Sequence, residues 1–156
     1  MKSLILGLIF GSICVLGFNI GNKFKKKEKF YYEFKNFLIY LKSEIGFFER
    51  DIVEIVDNYK TKNTDLTELL LNYKNSLQDK EFVDLNLISK EENNKLKDFF
   101  KGLGKSDCES QKEYIDKNLE IFDSLLKQAK LNNDKQGSMY KKLSILVAIL
   151  VCIILI

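Results

Sequence analysis

The sequence predicts an all-α protein, an antiparallel helical bundle domain flanked by N-terminal and C-terminal transmembrane helices. Three observations lead there. The chain of 156 residues contains no proline, so the commonest helix breaker is missing. Apolar residues recur through the middle at three- and four-residue steps, and no convincing period-two alternation interrupts them. The long uncharged runs lie at the two ends: SLILGLIFGSICVLGFNI at residues 3–20, and the fourteen residues after Lys142.

The first run has eighteen residues, about 27 Å of helix, which spans a bilayer with slight adjustment. A cleaved signal peptide is the competing reading, but no small-x-small site follows the apolar stretch. GSIC at residues 11–14 does not fit a lipoprotein site either, because Ile13 stands where a small residue would directly precede the cysteine. The last run alone reaches only about 21 Å. With Met139 and Tyr140 in the interface and Lys141 and Lys142 snorkelling, it approaches about 27 Å. The chain then divides into a transmembrane helix at 1–22, a helical domain at 23–142 and a second transmembrane helix at 143–156.

Charge gives orientation. Residues 30–142 carry 19 Lys+Arg and 21 Asp+Glu, a formal charge of −2, so the net +3 of the chain comes from Lys2 and KFKKKEK. The basic excess is therefore a membrane flank, which points to a lipid bilayer and not to nucleic acid as the partner. The positive-inside rule places KFKKKEK, Lys141 and Lys142 on the cytoplasmic side, with the middle domain. Both spans carry small residues four apart: Gly7/Gly11 and Gly17/Gly21 in the first, Ser144/Ala148 in the second. In lipid such positions let helix backbones approach closely.

In the domain between, apolar residues at 34, 37, 38, 41, 45, 48, 52, 55, 56 and 59 form one helical stripe continuing directly from the first span. TKNTDL reads as a turn with Asn63 or Thr64 as the next N-cap. Leu66, Leu69, Leu70, Tyr73 and Leu77 mark a second amphipathic helix. DKEFVDLNLI reads as a short helix or an irregular linker. Ser89–Glu92 is a capping box opening a helix through Leu96, Phe99 and Phe100, which stops at GLG, residues 102–104. Ser106–Glu109 reads as another box, opening a helix through Tyr114, Ile115, Leu119, Phe122, Leu125, Leu126 and Ala129, with Gly137 a kink before the last span.

Enzymatic chemistry finds little support. There is no histidine, the most usual metal ligand and general base. GLGKSD follows a helix and lacks P-loop spacing, and no nucleophile elbow, HExxH or CxxC occurs. The three cysteines are Cys14 and Cys152 in the apolar ends and a lone Cys108, which make no disulfide framework. The expectation is a non-enzyme without cofactor or metal.

Three stretches resemble the stage III sporulation protein AB family of endospore-forming bacteria. The first is GFNIGNKFKKKEKFYYEFKNFLIYLKSEIGFFERDI, where Leu41, Glu44 and Ile45 match a Leu-x-x-Glu-Ile core. The second is GLGKSDCESQ, matching Leu-Gly-x-x-Asp-x-x-x-Gln through Leu103, Gly104, Asp107 and Gln111. The third is YKKLSILVAILVCIILI, similar to the family's terminal anchor. The chain departs from the pattern at Arg50-Asp51-Ile52, where the family has a Thr-Pro-Leu turn, and at Ser144 and Ala148, where it has glycines.

The resemblance implies a membrane platform component, similar to the cytoplasmic domains of the inner-membrane platform proteins of type II secretion and type IV pilus systems. It would act in the channel between mother cell and forespore, facing the mother-cell cytoplasm, beside other sporulation channel membrane proteins. Its partner would be the secretion-type ATPase, stage III sporulation protein AA. Leu103, Gly104, Asp107 and Gln111, with Glu44, are then candidates either for a docking surface or for a helix corner. A membrane-anchored helical scaffold unrelated to secretion is the alternative reading.

Overall fold

The computed structural model describes the backbone of residues 2–48, 51–77 and 82–155, and the side chains of 5–45, 51–77 and 82–154. Its elements are α1 (Lys2–Phe48), α2 (Ile52–Asn58), α3 (Thr64–Ser76), α4 (Lys90–Gly102), α5 (Cys108–Asn132), a π-helical turn (Asn133–Gly137) and α6 (Ser138–Leu155). Among the described residues there is no strand. The all-α expectation holds, as does the continuation of the first apolar run into the following helix. Two compact units are present, one of residues 1–28 with 127–156 and one of residues 29–126.

In the 29–126 unit the stripe on α1 is core: Phe34, Phe37, Leu38 and Leu41 are fully buried and Ile45 nearly so. Phe30 and Tyr31 extend this face toward the N-terminus and are fully buried too. Phe34 lies at the centre, with its ring 4.6 Å from that of Phe122 on α5 in an edge-to-face arrangement, and 5.8 Å from Phe99 on α4. Lys35 pairs with Asp123 and Lys42 with Asp116. A step of seven residues forward on α1 thus matches seven backward on α5, so the two helices run antiparallel.

The stripe from 34 to 59 is not one helix, however. α1 ends at Phe48, and Asp51 opens α2 with extended dihedrals and a carboxylate that accepts the Val53 N–H. Phe48 and the Glu49–Arg50 pair lie outside the residues whose side chains are described. An N-cap carboxylate does here what a proline would do, because it offers the backbone a non-helical exit with the next helix's donors satisfied. Asn63 caps α3 through the amides of Asp65 and Leu66. On α3 Leu66, Leu69, Leu70 and Tyr73 are buried, while Leu77 is 53% exposed.

The part of DKEFVDLNLI that is described, residues 82–88, is an irregular linker with a turn at 86–87. A buried polar residue holds it. Asn93 on α4 accepts the Leu85 N–H at 2.9 Å and donates to the Leu85 carbonyl at 3.0 Å. The Ser89 capping box is complete: Ser89 Oγ accepts the Glu92 N–H and Glu92 accepts the Ser89 N–H.

In the unit of residues 1–28 and 127–156, α1 pairs with α6. Gly17 faces Ser144 so closely that a β-carbon on Gly17 would stand 2.1 Å from Ser144 Cβ. Gly21 meets the Gly137 carbonyl. Phe24 and Tyr140 stack at 6.0 Å, and Asn133 Nδ2 donates to Glu28 at 2.7 Å. The expected kink at Gly137 takes the form of a π turn, in which one extra residue is absorbed per turn without breaking the helix.

Candidate docking site

The family-like residues meet at one corner. α4 ends at Gly102, and Leu103, 6% exposed, donates its N–H to the Phe100 carbonyl. Gly104 then has φ +77°, the left-handed region that only glycine enters without strain. Its N–H is received by Gln111 Oε1 at 2.7 Å, so a side chain one turn into α5 closes the corner.

α5 begins one residue later than the Ser106 box implies. The cap is Asp107, whose Oδ1 accepts the N–H groups of Glu109 and Ser110, each at 3.1 Å, while Oδ2 accepts the Ser110 hydroxyl at 2.8 Å. The charged Asp107 oxygen takes two orphan amides at once, and a carboxylate at a helix N-terminus is a stronger acceptor than a neutral hydroxyl. The backbone and hydroxyl donors of Ser110 hold the Asp107 carboxyl below its ordinary value. Tyr114, one turn beyond Gln111, ties α5 back to α4 by donating to the carbonyls of Asp98 and Phe99.

Glu44 lies half-buried on α1. Its neighbour Ile45 reaches the corner: the Ile45 carbonyl accepts the Cys108 thiol at 3.2 Å. Between these groups is an open cavity of about 300 Å³, walled by Gln111, Gly104, Ser106 and Cys108 on one side and Ile45, Asp51 and Ile52 on the other. Asp51, Ile52 and Cys108 were not singled out as site residues, and Ile45 only as part of the Leu-x-x-Glu-Ile core. Asp51 could have been, as a capping residue directly before the apolar spacing Ile52, Ile55, Val56.

Of the small residues in the apolar helices, the structure brings Gly17, Gly21, Ser144 and Gly137 together and buries Ala148 fully. Gly7 and Gly11 have nothing within 4 Å of where a β-carbon would be. Both apolar helices are long enough to cross a membrane by length and composition, and only 11% and 17% of their most apolar windows are buried. A helix in the core of a soluble protein would bury most of that surface.

The family model of stage III sporulation protein AB matches residues 2–156. The chain belongs to the stage III sporulation protein AB family. Comparison with curated proteins and with solved structures gives no match. The match covers both apolar helices as well as the corner, so the stage III AB resemblance of the three quoted stretches extends over essentially the whole chain. The stage III AB family is not a known enzyme family, and membership makes this a sporulation protein.

Proposed function

We propose that this protein is a non-enzymatic membrane platform component of the channel complex between mother cell and forespore, and that its helical domain docks a cytoplasmic secretion-type ATPase, stage III sporulation protein AA. The observation that supports this most is the close pairing of the two apolar helices through Gly17–Ser144 and Gly21–Gly137. A pair packed that closely forms a two-legged mount whose helices flank residues 29–126 in the chain. Lysine placement supports a cytoplasmic side for that unit, and the family resemblance implies the mother cell.

Two legs restrict tilt and height more than one does. A motor pressing on a domain so held transmits displacement into the membrane instead of swinging a tethered head. The corner at residues 102–107 and the exposed start of α5 form the docking surface in this reading.

Two measurements test it. Cysteines placed near each terminus should react with an impermeant maleimide added outside intact cells, and a failure at both ends removes the two-legged topology. Purified full-length protein in liposomes should carry the ATPase upward in a flotation gradient, saturably. An ATPase that stays at the bottom of the gradient leaves only a membrane scaffold unrelated to secretion.

A further inference from the structure

α6 has two unlike sides where the chain passes from charged to uncharged sequence. Gly137, Ser144 and Ala148 are buried on the side packed against α1. The opposite side is exposed, and it borders an open hollow of about 400 Å³.

The lining of this hollow changes character along the helix. Asp134, Lys135 and Ser138 make its N-terminal part polar, and Leu143 and Leu146 make its C-terminal part apolar, with Met139 and Lys142 at the changeover. Lys135, Ser138 and Lys142 fall on one stripe, two turns from end to end. Lys142 is the last charge before fourteen uncharged residues. Polar and basic first, apolar next, is the order of a phospholipid entered from its headgroup. A soluble anion would make no use of Leu143 and Leu146, and a protein loop does not require that order.

Charge selects the kind of lipid. Two lysines against one aspartate leave the hollow positive. Because Gly21 meets Gly137 and Glu28 bonds Asn133, Lys23, Lys25, Lys26 and Lys27 on α1 stand at the same height along the helix pair. Clusters of about four to eight basic residues beside a membrane helix attract anionic lipid. Asp134 disfavours a second negative charge and offers an acceptor to a headgroup hydroxyl.

We infer that this hollow on α6 seats a phospholipid with one negative charge, with Lys135, Ser138 and Lys142 on its phosphate and Leu143 and Leu146 along the start of an acyl chain. The inference rests on the membrane reading of the apolar helices and adds a lipid site to it.

The chain contains no tryptophan, so Leu150→Trp, at an exposed position one turn beyond Leu146, supplies a single fluorophore below the hollow. Full-length protein carrying it is reconstituted in phosphatidylcholine vesicles, with brominated phosphatidylglycerol or brominated phosphatidylcholine as quencher. Quenching should show a preference for phosphatidylglycerol of about fivefold or more. Lys135→Gln with Lys142→Gln should bring that preference close to one. Lys23→Gln with Lys26→Gln removes the same charge from α1 and should keep most of it. All four lysines are exposed, so circular dichroism should show full helicity in both variants. No preference in the parent, or equal loss in the two pairs, overturns the site and leaves the anchors standing. Displacement of the brominated lipid by soluble glycerol phosphate would make the occupant a free phosphate and overturns the lipid. A tryptophan quenched by neither lipid places α6 outside the bilayer and overturns the membrane reading together with the site.

Discussion

A β-carbon on Gly17 would overlap Ser144 Cβ at 2.1 Å, so the α1–α6 pair has closed to a distance that only glycine permits. In lipid this close approach replaces the hydrophobic effect as the source of helix attraction.

Gly17→Val should therefore open the pair. Overpacking at this position costs about 1–3 kcal/mol. The loss should appear as a lower midpoint in mixed-micelle unfolding followed by circular dichroism. Gly7→Val is the control: with nothing within 4 Å, it should change the midpoint by less than about 0.5 kcal/mol. Equal effects at the two positions would argue against the pairing.

Asn93 holds the linker before α4 by bonding both main-chain groups of Leu85. Asn93→Ala leaves these buried groups unpaired and should cost about 1–3 kcal/mol. Hydrogen exchange gives a more local reading, because the Leu85 amide should exchange faster while amides in α5 keep their protection. Uniform loss of protection would mean that Asn93 serves the whole core and not this linker.

Burial pushes the Tyr31 phenol above its usual 10.0, and the Glu92 carboxylate adds to the shift. Below that value the phenol is protonated both folded and unfolded. Above it the unfolded chain loses the proton first, so the folded state loses stability as pH rises. The unfolding midpoint should hold up to about pH 10 and fall beyond it. Tyr59, Tyr73 and Tyr114 are shifted the same way, so Tyr31→Phe should flatten the fall without abolishing it. A variant with an unchanged alkaline slope would contradict the assignment.

Asp107 acts at the opposite end of the scale. Its carboxyl is held low by Ser110, so its contribution is present above the ordinary value of 3.8 and disappears as pH falls through the folded value. Asp107→Asn keeps an N-cap oxygen but does not titrate, and should remove part of the acid loss of helicity. Indistinguishable acid titrations of the two proteins would mean that the cap does not depend on charge.

Much of this fold was legible because its signals are local. The caps at Asn63 and Ser89 could be read from residue type and spacing, since a side-chain oxygen must lie within three residues of the amide it serves. Two local signals misled. The apolar stripe from 34 to 59 suggested one helix, because α1 and α2 both present apolar faces and the period carries through the break at Asp51. Ser106 suggested the cap of α5, although Asp107 beside it is the stronger acceptor and satisfies two amides. Asn93 gave no signal, because what makes it structural is a main chain eight residues away.

The candidate site divides the same way. Leu103, Gly104, Asp107 and Gln111 stand together in the sequence, and a corner could be expected from a glycine followed by a helix start. Nothing in their spacing shows that Gln111 spends its oxygen on the Gly104 N–H.

The sequence by itself determined the helical class, the two apolar ends and the basic flank, because composition and period act through solvent and need no long-range partner. Only the tertiary structure decided that Gly17 and Gly21, rather than Gly7 and Gly11, receive the second apolar helix. It also decided that residues from α1, α2 and α5 wall one cavity with the turn after α4. Both outcomes depend on which faces meet across more than fifty residues of chain, and packing geometry, not local propensity, sets that.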